Sequence, residues 1–153
     1  MAIEKRVLLA RPHTFIVNEM RPFLMAAGYT PVRVESLDQL LGELGRPLHG
    51  AIVSTALTSS IDADAAAVFR LIREKLPRLP VVFAGLADLD TVTSTAARAV
   101  KGLVASPVIA GPAAYRVAPA SERASSFLVL RKEDVVAGAS QEVAQRALRA
   151  HLG

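Results

Sequence analysis

The chain has 153 residues, 52% of them apolar and 21% charged, and this balance excludes a disordered or highly solvated chain. It contains no cysteine, which excludes disulfides, thiolate metal sites and a cysteine nucleophile. The net charge of +4 comes from arginines spread along the chain without a basic run, a pattern that argues against nucleic-acid binding.

The first apolar run, residues 7–10, ends at Arg11. It is therefore too short for the core of a signal peptide or for a membrane span. The length of the chain is typical of one domain. We expect a single cytoplasmic domain over residues 1–153 that does not engage a membrane.

Short apolar runs alternate with amphipathic stretches as far as residue 107, and this alternation predicts βαβ units around a parallel sheet buried on both faces. The predicted strands are residues 7–10, 30–34, 51–54, 81–84 and 102–105.

Four helices are predicted between these strands. The first contains Pro22, which predicts a kink or a delayed start near Glu19. The second opens with Ser36 as its N-cap, and the third runs over residues 63–75. The fourth, over residues 90–100, has mostly small side chains and a weaker helical pattern.

The pattern changes near residue 107, so we expect a core over residues 5–107 and an extension over residues 108–153. The first part of the extension lacks periodicity and predicts a long irregular connection. Residues 126–131, SFLVLR, predict an extra edge strand. Ser140 is the predicted N-cap of a final helix.

The order of these elements resembles the receiver domain of bacterial response regulators, whose fold is a doubly wound, flavodoxin-like α/β sheet of five parallel strands. The matching strings together span about residues 5–107 at the family's usual spacing; they are KRVLLA, AAGYTPVRV, LHGAIVST, VFRLIREKLPRLPVVFAG and LVASP. The resemblance implies that the chain belongs to bacterial two-component signal transduction.

The resemblance also identifies positions at which the chain departs from the family. Receivers accept a phosphoryl group on an aspartate that ends the third strand, beside Mg²⁺ held by acids after the first strand. A hydroxyl residue ends their fourth strand, and a lysine before a proline ends the fifth. Here the acidic pair falls on Ala10 and Arg11, or on Arg11 and Pro12 after a slip of one residue. The other positions fall on Ser54, on Gly85 or its neighbour Ala84, and on Ser106.

A site of alanine, arginine and serine should hold neither Mg²⁺ nor an acyl phosphate, because the ion prefers carboxylate oxygens and phosphoryl transfer depends on it. We therefore expect a degenerate pseudo-receiver that is not an enzyme and uses no cofactor or metal. Two interpretations of Arg11 stay open. Its guanidinium could make the pocket cationic and contact an anion, or it could lie along the surface with its charge in water.

Other polar residues have ordinary explanations. Ser54 lacks a base and an orienting group fixed by sequence, and His13, His49 and His151 do not have the spacing of a metal site. The acids near the predicted helix starts are expected to be caps; they are Asp62, Asp64, Asp88 and Asp90.

We expect the chain to work without phosphorylation, by binding protein partners or a second copy of itself. Receivers commonly pair through the face made by the fourth helix, fifth strand and fifth helix. The expected contacts are Val100, Leu103, Phe127 and Leu130. The alternative is a small-ligand sensor or vestigial enzyme that uses the crevice above Ala10, Ser54 and Gly85.

Overall fold

The computed structural model describes residues 4–11, 16–56, 63–136 and 138–153. Six strands lie within these ranges: β1 Arg6–Arg11, β2 Thr30–Arg33, β3 Gly50–Ser54, β4 Val81–Gly85, β5 Val108–Ala110 and β6 Ser126–Arg131. They form one sheet in the order β2-β1-β3-β4-β6-β5, and every neighbouring pair is parallel.

The α-helices of the described ranges are α1 Arg21–Ala26, α2 Leu37–Leu44, α3 Ala65–Lys75, α4 Leu89–Val100, α5 Lys132–Val136 and α6 Ala139–Leu152. A π-helical turn, Ile16–Met20, precedes α1, and short 3₁₀ helices cover Pro112–Ala114 and Ala120–Ser125. No helix within these ranges has both the length and the apolar character needed to cross a bilayer.

Helices cover both faces of the sheet because successive strand residues point to opposite sides. On one face α2, α3 and α4 pack against residues such as Val53 and Phe83. On the other face α1, α5 and α6 pack against the intervening residues, such as Ile52 and Val82. The predicted doubly wound α/β class is therefore confirmed, although one of the six strands, β5, is not among those predicted.

The fifth predicted strand is wrong. Residues 102–105 form a turn that closes α4, in which the backbone N–H groups of Leu103 and Val104 both donate to the carbonyl of Val100, at 3.1 Å. Gly102 has φ +84°, a conformation that glycine adopts without steric cost. Leu103 is 44% exposed, and Val104 is only partly buried where it packs against the core.

The run SFLVLR does form a strand, β6, but that strand does not lie at the edge. It is inserted between β4 and β5, and Phe127, Leu128, Val129 and Leu130 are all fully buried. A continuous apolar run is typical of a parallel strand that is covered on both faces. The edge position belongs to β5, which has only three residues.

Three predicted helix starts carry the expected caps. Ser36 Oγ accepts a hydrogen bond from Gln39 N at 3.2 Å, and the Oδ1 atoms of Asp64 and Asp88 each accept one from a backbone N–H at 2.8 Å. Asp90 lies in the first turn of α4, and Asp62 lies outside the described residues.

Two other helix starts differ from the sequence pattern. Pro22 lies in the first turn of α1, so the helix starts late, after the π-helical turn, as predicted. The prediction of Ser140 as an N-cap is wrong. It lies inside α6, which begins at Ala139 after Gly138 and has no side-chain cap. The short helix α5 was not predicted.

Candidate functional site

The four central strands end side by side at one edge of the sheet, which we name the carboxyl edge. Arg11 ends β1, Ser54 ends β3, Gly85 ends β4 and Arg131 ends β6. The register pairs Ser54 with Ala84, and Gly85 with Arg131. Ligands of open α/β sheets usually bind at this edge, so these residues define the candidate site.

Arg11 is turned into the protein by an irregularity in β1. Leu9 pairs with Ile52 and Arg11 pairs with Val53, so β1 has one residue more than β3 at this point. Such a bulge changes the direction of the side chain that follows it. The extra residue, Ala10, is fully buried in the core.

Arg11 is only 3% exposed as a residue and its guanidinium is bonded to backbone carbonyls, so the interpretation with its charge in water is wrong. Its Nε–H donates to the carbonyl of Ala63 at 2.8 Å. One terminal nitrogen donates to the carbonyls of Ser54, at 3.1 Å, and Ala56. Burial lowers the pKa of Arg11, and the charge of Asp64 partly opposes this shift. Pro12, the other candidate position, lies outside the described residues.

Ser54 completes a turn in the backbone. Its hydroxyl oxygen accepts a hydrogen bond from the N–H of Ala56 at 3.1 Å, and the residue is 2% exposed. This is the local bonding that serines commonly provide in turns. His13, the one histidine that the sequence places near this strand end, lies outside the described residues.

Gly85 leaves room for a side chain from the neighbouring loop. A Cβ atom at this position would collide with Oγ1 of Thr55 and would lie 3.0 Å from Val92 Cγ2. The backbone N–H of Thr55 donates to the carbonyl of Ala84 at 2.9 Å, which holds the threonine in this place. Sequence reasoning missed Thr55, although it directly follows Ser54.

Ser106 does not reach the carboxyl edge, so its assignment to the lysine position is wrong. It precedes β5, whose first residue, Val108, pairs with the first residue of β6. Ser106 therefore lies where these strands begin, on the side of the sheet opposite the carboxyl edge. The strand beside β4 is β6, and its last residue is Arg131. Because the LVASP string has the family's spacing, the sequence points to Ser106 and not to Arg131.

Arg131 is tied to acids that follow it. Its Nε lies 3.3 Å from Oδ2 of Asp134, and a terminal nitrogen lies 2.9 Å from Oε1 of Glu133. The same Asp134 oxygen accepts the backbone N–H of Arg131 at 2.8 Å, and Asp134 is 5% exposed. The positive charge at the end of β6 is thus compensated locally.

The donor groups that the structure describes at this edge do not fit a divalent cation. The family's Mg²⁺ would need carboxylate oxygens near the end of β1, where Arg11 directs a guanidinium at the carbonyls. Asp64 and Asp88 are engaged as helix caps, and Asp134 faces Arg131. Within the described ranges no three potential ligand side chains come together.

Solved structures of other proteins are similar to this fold. No protein-family model matches the sequence, and no curated protein matches it. A solved structure with TM-score 0.62 is the signal receiver domain of an HD domain-containing protein from Pseudomonas fluorescens Pf-5, at 18% identity over 98% of this chain and 95% of that chain. The chain has the receiver fold.

Two further solved structures have a similar fold. The orphan response regulator HP1043 of H. pylori has TM-score 0.53 and 14% identity, and the match covers 96% of both chains. NtrX from Brucella abortus has TM-score 0.61 and 15% identity over 97% of this chain, which spans only 28% of the NtrX chain. Identities this low establish a shared fold and not a shared activity.

Three of the four expected interface residues belong to the core of this receiver fold. Val100, Phe127 and Leu130 are fully buried, so they are not available for contacts on its surface. Phe127 packs edge-on against Phe69, with ring centroids 5.5 Å apart. Leu103 is the exception, being 44% exposed.

The crevice expected above Ala10, Ser54 and Gly85 is occupied by the chain's own atoms, namely Arg11 and Thr55. Arg11 and Thr55 also line a cleft of about 200 Å³, together with the start of α3 and the second half of α4. Its polar lining includes Asp64, Thr95 and Arg98.

The remaining histidines lie far from the carboxyl edge. His49 precedes β3, and its Nε2 lies 2.8 Å from the carbonyl oxygen of Gly153. His151 lies in α6 and is hydrogen-bonded to the carbonyl of Val81, at the start of β4.

Proposed function

We propose that this chain is a receiver-like signalling domain that works without phosphoryl transfer and acts by binding protein partners. The observation that carries the proposal is the occupation of the carboxyl edge by Arg11 and Thr55. A guanidinium lies where a metal-dependent receiver would need carboxylates. Phosphoryl transfer relies on a cation to neutralise developing charge and on a nucleophile open to the donor. Ser54 is 2% exposed and bonded within its own turn.

The surface that we propose for partner binding is the edge of the sheet at β5. An edge strand presents unpaired backbone groups that can join another chain. Val108, the first residue of β5, is 62% exposed, and Leu103 lies in the turn that leads to this strand. The proposed occupant is a second copy of the chain, which would cover both apolar side chains.

A small-ligand function has less support. Small residues at the family's charged positions predict an open crevice. Arg11 and Thr55 fill that space. The cleft that Arg11 and Thr55 line has about 200 Å³, which is smaller than the usual drug-sized pocket of about 300–1,000 Å³. The larger cavities among the described residues, of about 520 and 460 Å³, are lined by other residues, such as Met25 and Leu76.

Incubation with acetyl phosphate and Mg²⁺ tests the central claim. Intact-mass spectrometry should show no phosphorylated species, while an ordinary receiver with its aspartate, treated in parallel, should gain one phosphoryl group. Because an acyl phosphate is short-lived, both samples are also measured with beryllium fluoride, by thermal unfolding. Phosphate on Ser54, or stabilisation by the fluoride complex, would contradict the proposal.

Light scattering after size exclusion tests the proposed contact. The wild-type chain should be a dimer at high concentration, and Val108→Asp or Leu103→Asp should make it a monomer because a charge would be buried in the contact. Met25→Asp is the matched control, since Met25 is also 62% exposed but lies on α1. A wild-type monomer, or equal dissociation by the control, would exclude this surface.

A further inference from the structure

The loop between β3 and α3 is held at both ends by a single buried cation. Arg11 donates to the carbonyls of Ser54 and Ala56, where the loop begins, and to the carbonyl of Ala63, where it ends. Three N–H donors of one planar group therefore join β1 to two separated points of the chain. Arginine suits this arrangement because its donors form a rigid fork.

We infer that Arg11 is a built-in cation that holds the two described ends of this loop, residues 54–56 and 63–64, so that this part of the carboxyl edge keeps its shape without a bound metal ion. A hydrogen bond from a charged donor is stronger than a neutral one, and burial strengthens it further. The bulge in β1 supports the inference independently, because it turns the side chain at this position towards the loop.

Thr55 provides a second attachment for the same loop. Its N–H donates to the carbonyl of Ala84, and its side chain fills the space beside Gly85. The beginning of the loop is thus fixed to β4 as well as to β1. Arg11 and Thr55 act at the carboxyl edge, whereas the proposed partner surface lies at β5. The two proposals can therefore be refuted independently.

Hydrogen exchange of individual amides tests the inference. In Arg11→Met the side chain keeps its apolar length but loses all donors. We expect the amides of Thr55 and Ala56 to exchange faster by about tenfold or more relative to Phe83 and Val129, which report the core, since a lost charged hydrogen bond favours local opening. Unchanged relative exchange at Thr55 and Ala56 would overturn the inference.

Arg73→Met is the matched control. The guanidinium of Arg73 also donates to backbone carbonyls, to Leu79 at 2.6 Å and Ala124 at 3.1 Å, but it lies in α3 away from the carboxyl edge. This substitution should lower overall stability without changing the exchange of Thr55 and Ala56 relative to the core. An equal local effect of both substitutions would show that the Arg11 result is not specific.

Two further measurements complete the test. Arg11→Lys keeps the charge but cannot reach three carbonyls as a rigid fork, so relative exchange should increase less than in Arg11→Met. If Arg11→Met does not fold, Arg11→Lys decides, and exchange equal to wild type would overturn the inference. In the wild type, millimolar MgCl₂ should leave the exchange of Thr55 and Ala56 unchanged. A slowing by Mg²⁺ would show that the edge recruits a metal.

Discussion

Gly85 and Thr55 fit together at the carboxyl edge, because the side chain of Thr55 fills the space that Gly85 leaves open. A Cβ at position 85 would meet Thr55 Oγ1 and Val92 Cγ2. The hydroxyl of Thr55 makes only a long contact of 3.4 Å with the carbonyl of Ala84, so its main role is to fill space. The two positions should therefore be energetically coupled.

Gly85→Ala should destabilise the fold by about 1–3 kcal/mol, because well-packed interiors respond to an added methyl group with strain. Thr55→Ala should cost less, and in the double variant the alanine at 85 should be tolerated better than in wild type. Urea unfolding of the four proteins gives the coupling energy. Additive effects of the two substitutions would contradict the packing described here.

At the same scale, the sequence locates part of the site. Arg11, Ser54 and Gly85 lie at the carboxyl edge, as their place after apolar runs predicts. The direction of Arg11 was not predictable, because it depends on a bulge that only strand pairing reveals. Thr55 was missed because its role arises from a contact with Gly85, thirty residues away in a different strand.

At the scale of elements, two apolar runs compete for the place beside β4. Residues 102–105 have the family's expected spacing, yet they contain Gly102 and follow α4 directly. The run SFLVLR is longer and contains four consecutive residues that become fully buried. Burial of apolar surface dominates folding, so the longer run takes the interior position. The spacing of the two runs along the sequence does not show which of them buries more apolar surface.

A matched pair of truncations tests this assignment. Leu130→Ala should destabilise the protein by about 2–5 kcal/mol, because it leaves a cavity in the core. Leu103→Ala should cost less than about 0.5 kcal/mol, as is usual for an exposed side chain. Chemical denaturation measures both, at concentrations low enough to keep the chain monomeric. Similar costs would mean that residues 102–105 are buried in a strand after all.

At the scale of the whole molecule, a buried polar chain joins the extension to the sheet. The Nε2–H of His151 donates to the carbonyl of Val81, with the two atoms 2.9 Å apart. This leaves Nδ1 as the acceptor for the Tyr115 hydroxyl, also at 2.9 Å. His151 is 4% exposed, so both partners bind the neutral imidazole inside the protein. α6 and the segment before β6 are thereby held to the start of β4.

Stability should therefore fall in acid. Desolvation lowers the pKa of His151 to about 4, and the charges of Arg73 and Arg123 act in the same direction. The unfolded chain has the ordinary pKa of about 6.5 and so binds a proton more readily than the folded chain between these values. The free energy of unfolding should thus rise as the pH increases from about 4 to 6.5, by roughly 3 kcal/mol from this group.

Urea unfolding between these two pH values isolates the contribution of His151. His151→Gln, which cannot titrate but keeps a donor for Val81, should be less stable at neutral pH and should lose less stability on acidification. The difference between wild type and variant should therefore shrink towards low pH. The same substitution at His49, which leaves His151 in place, is the control for replacing an imidazole by an amide. If His151→Gln loses stability in acid as steeply as wild type, another group is responsible for the acid sensitivity.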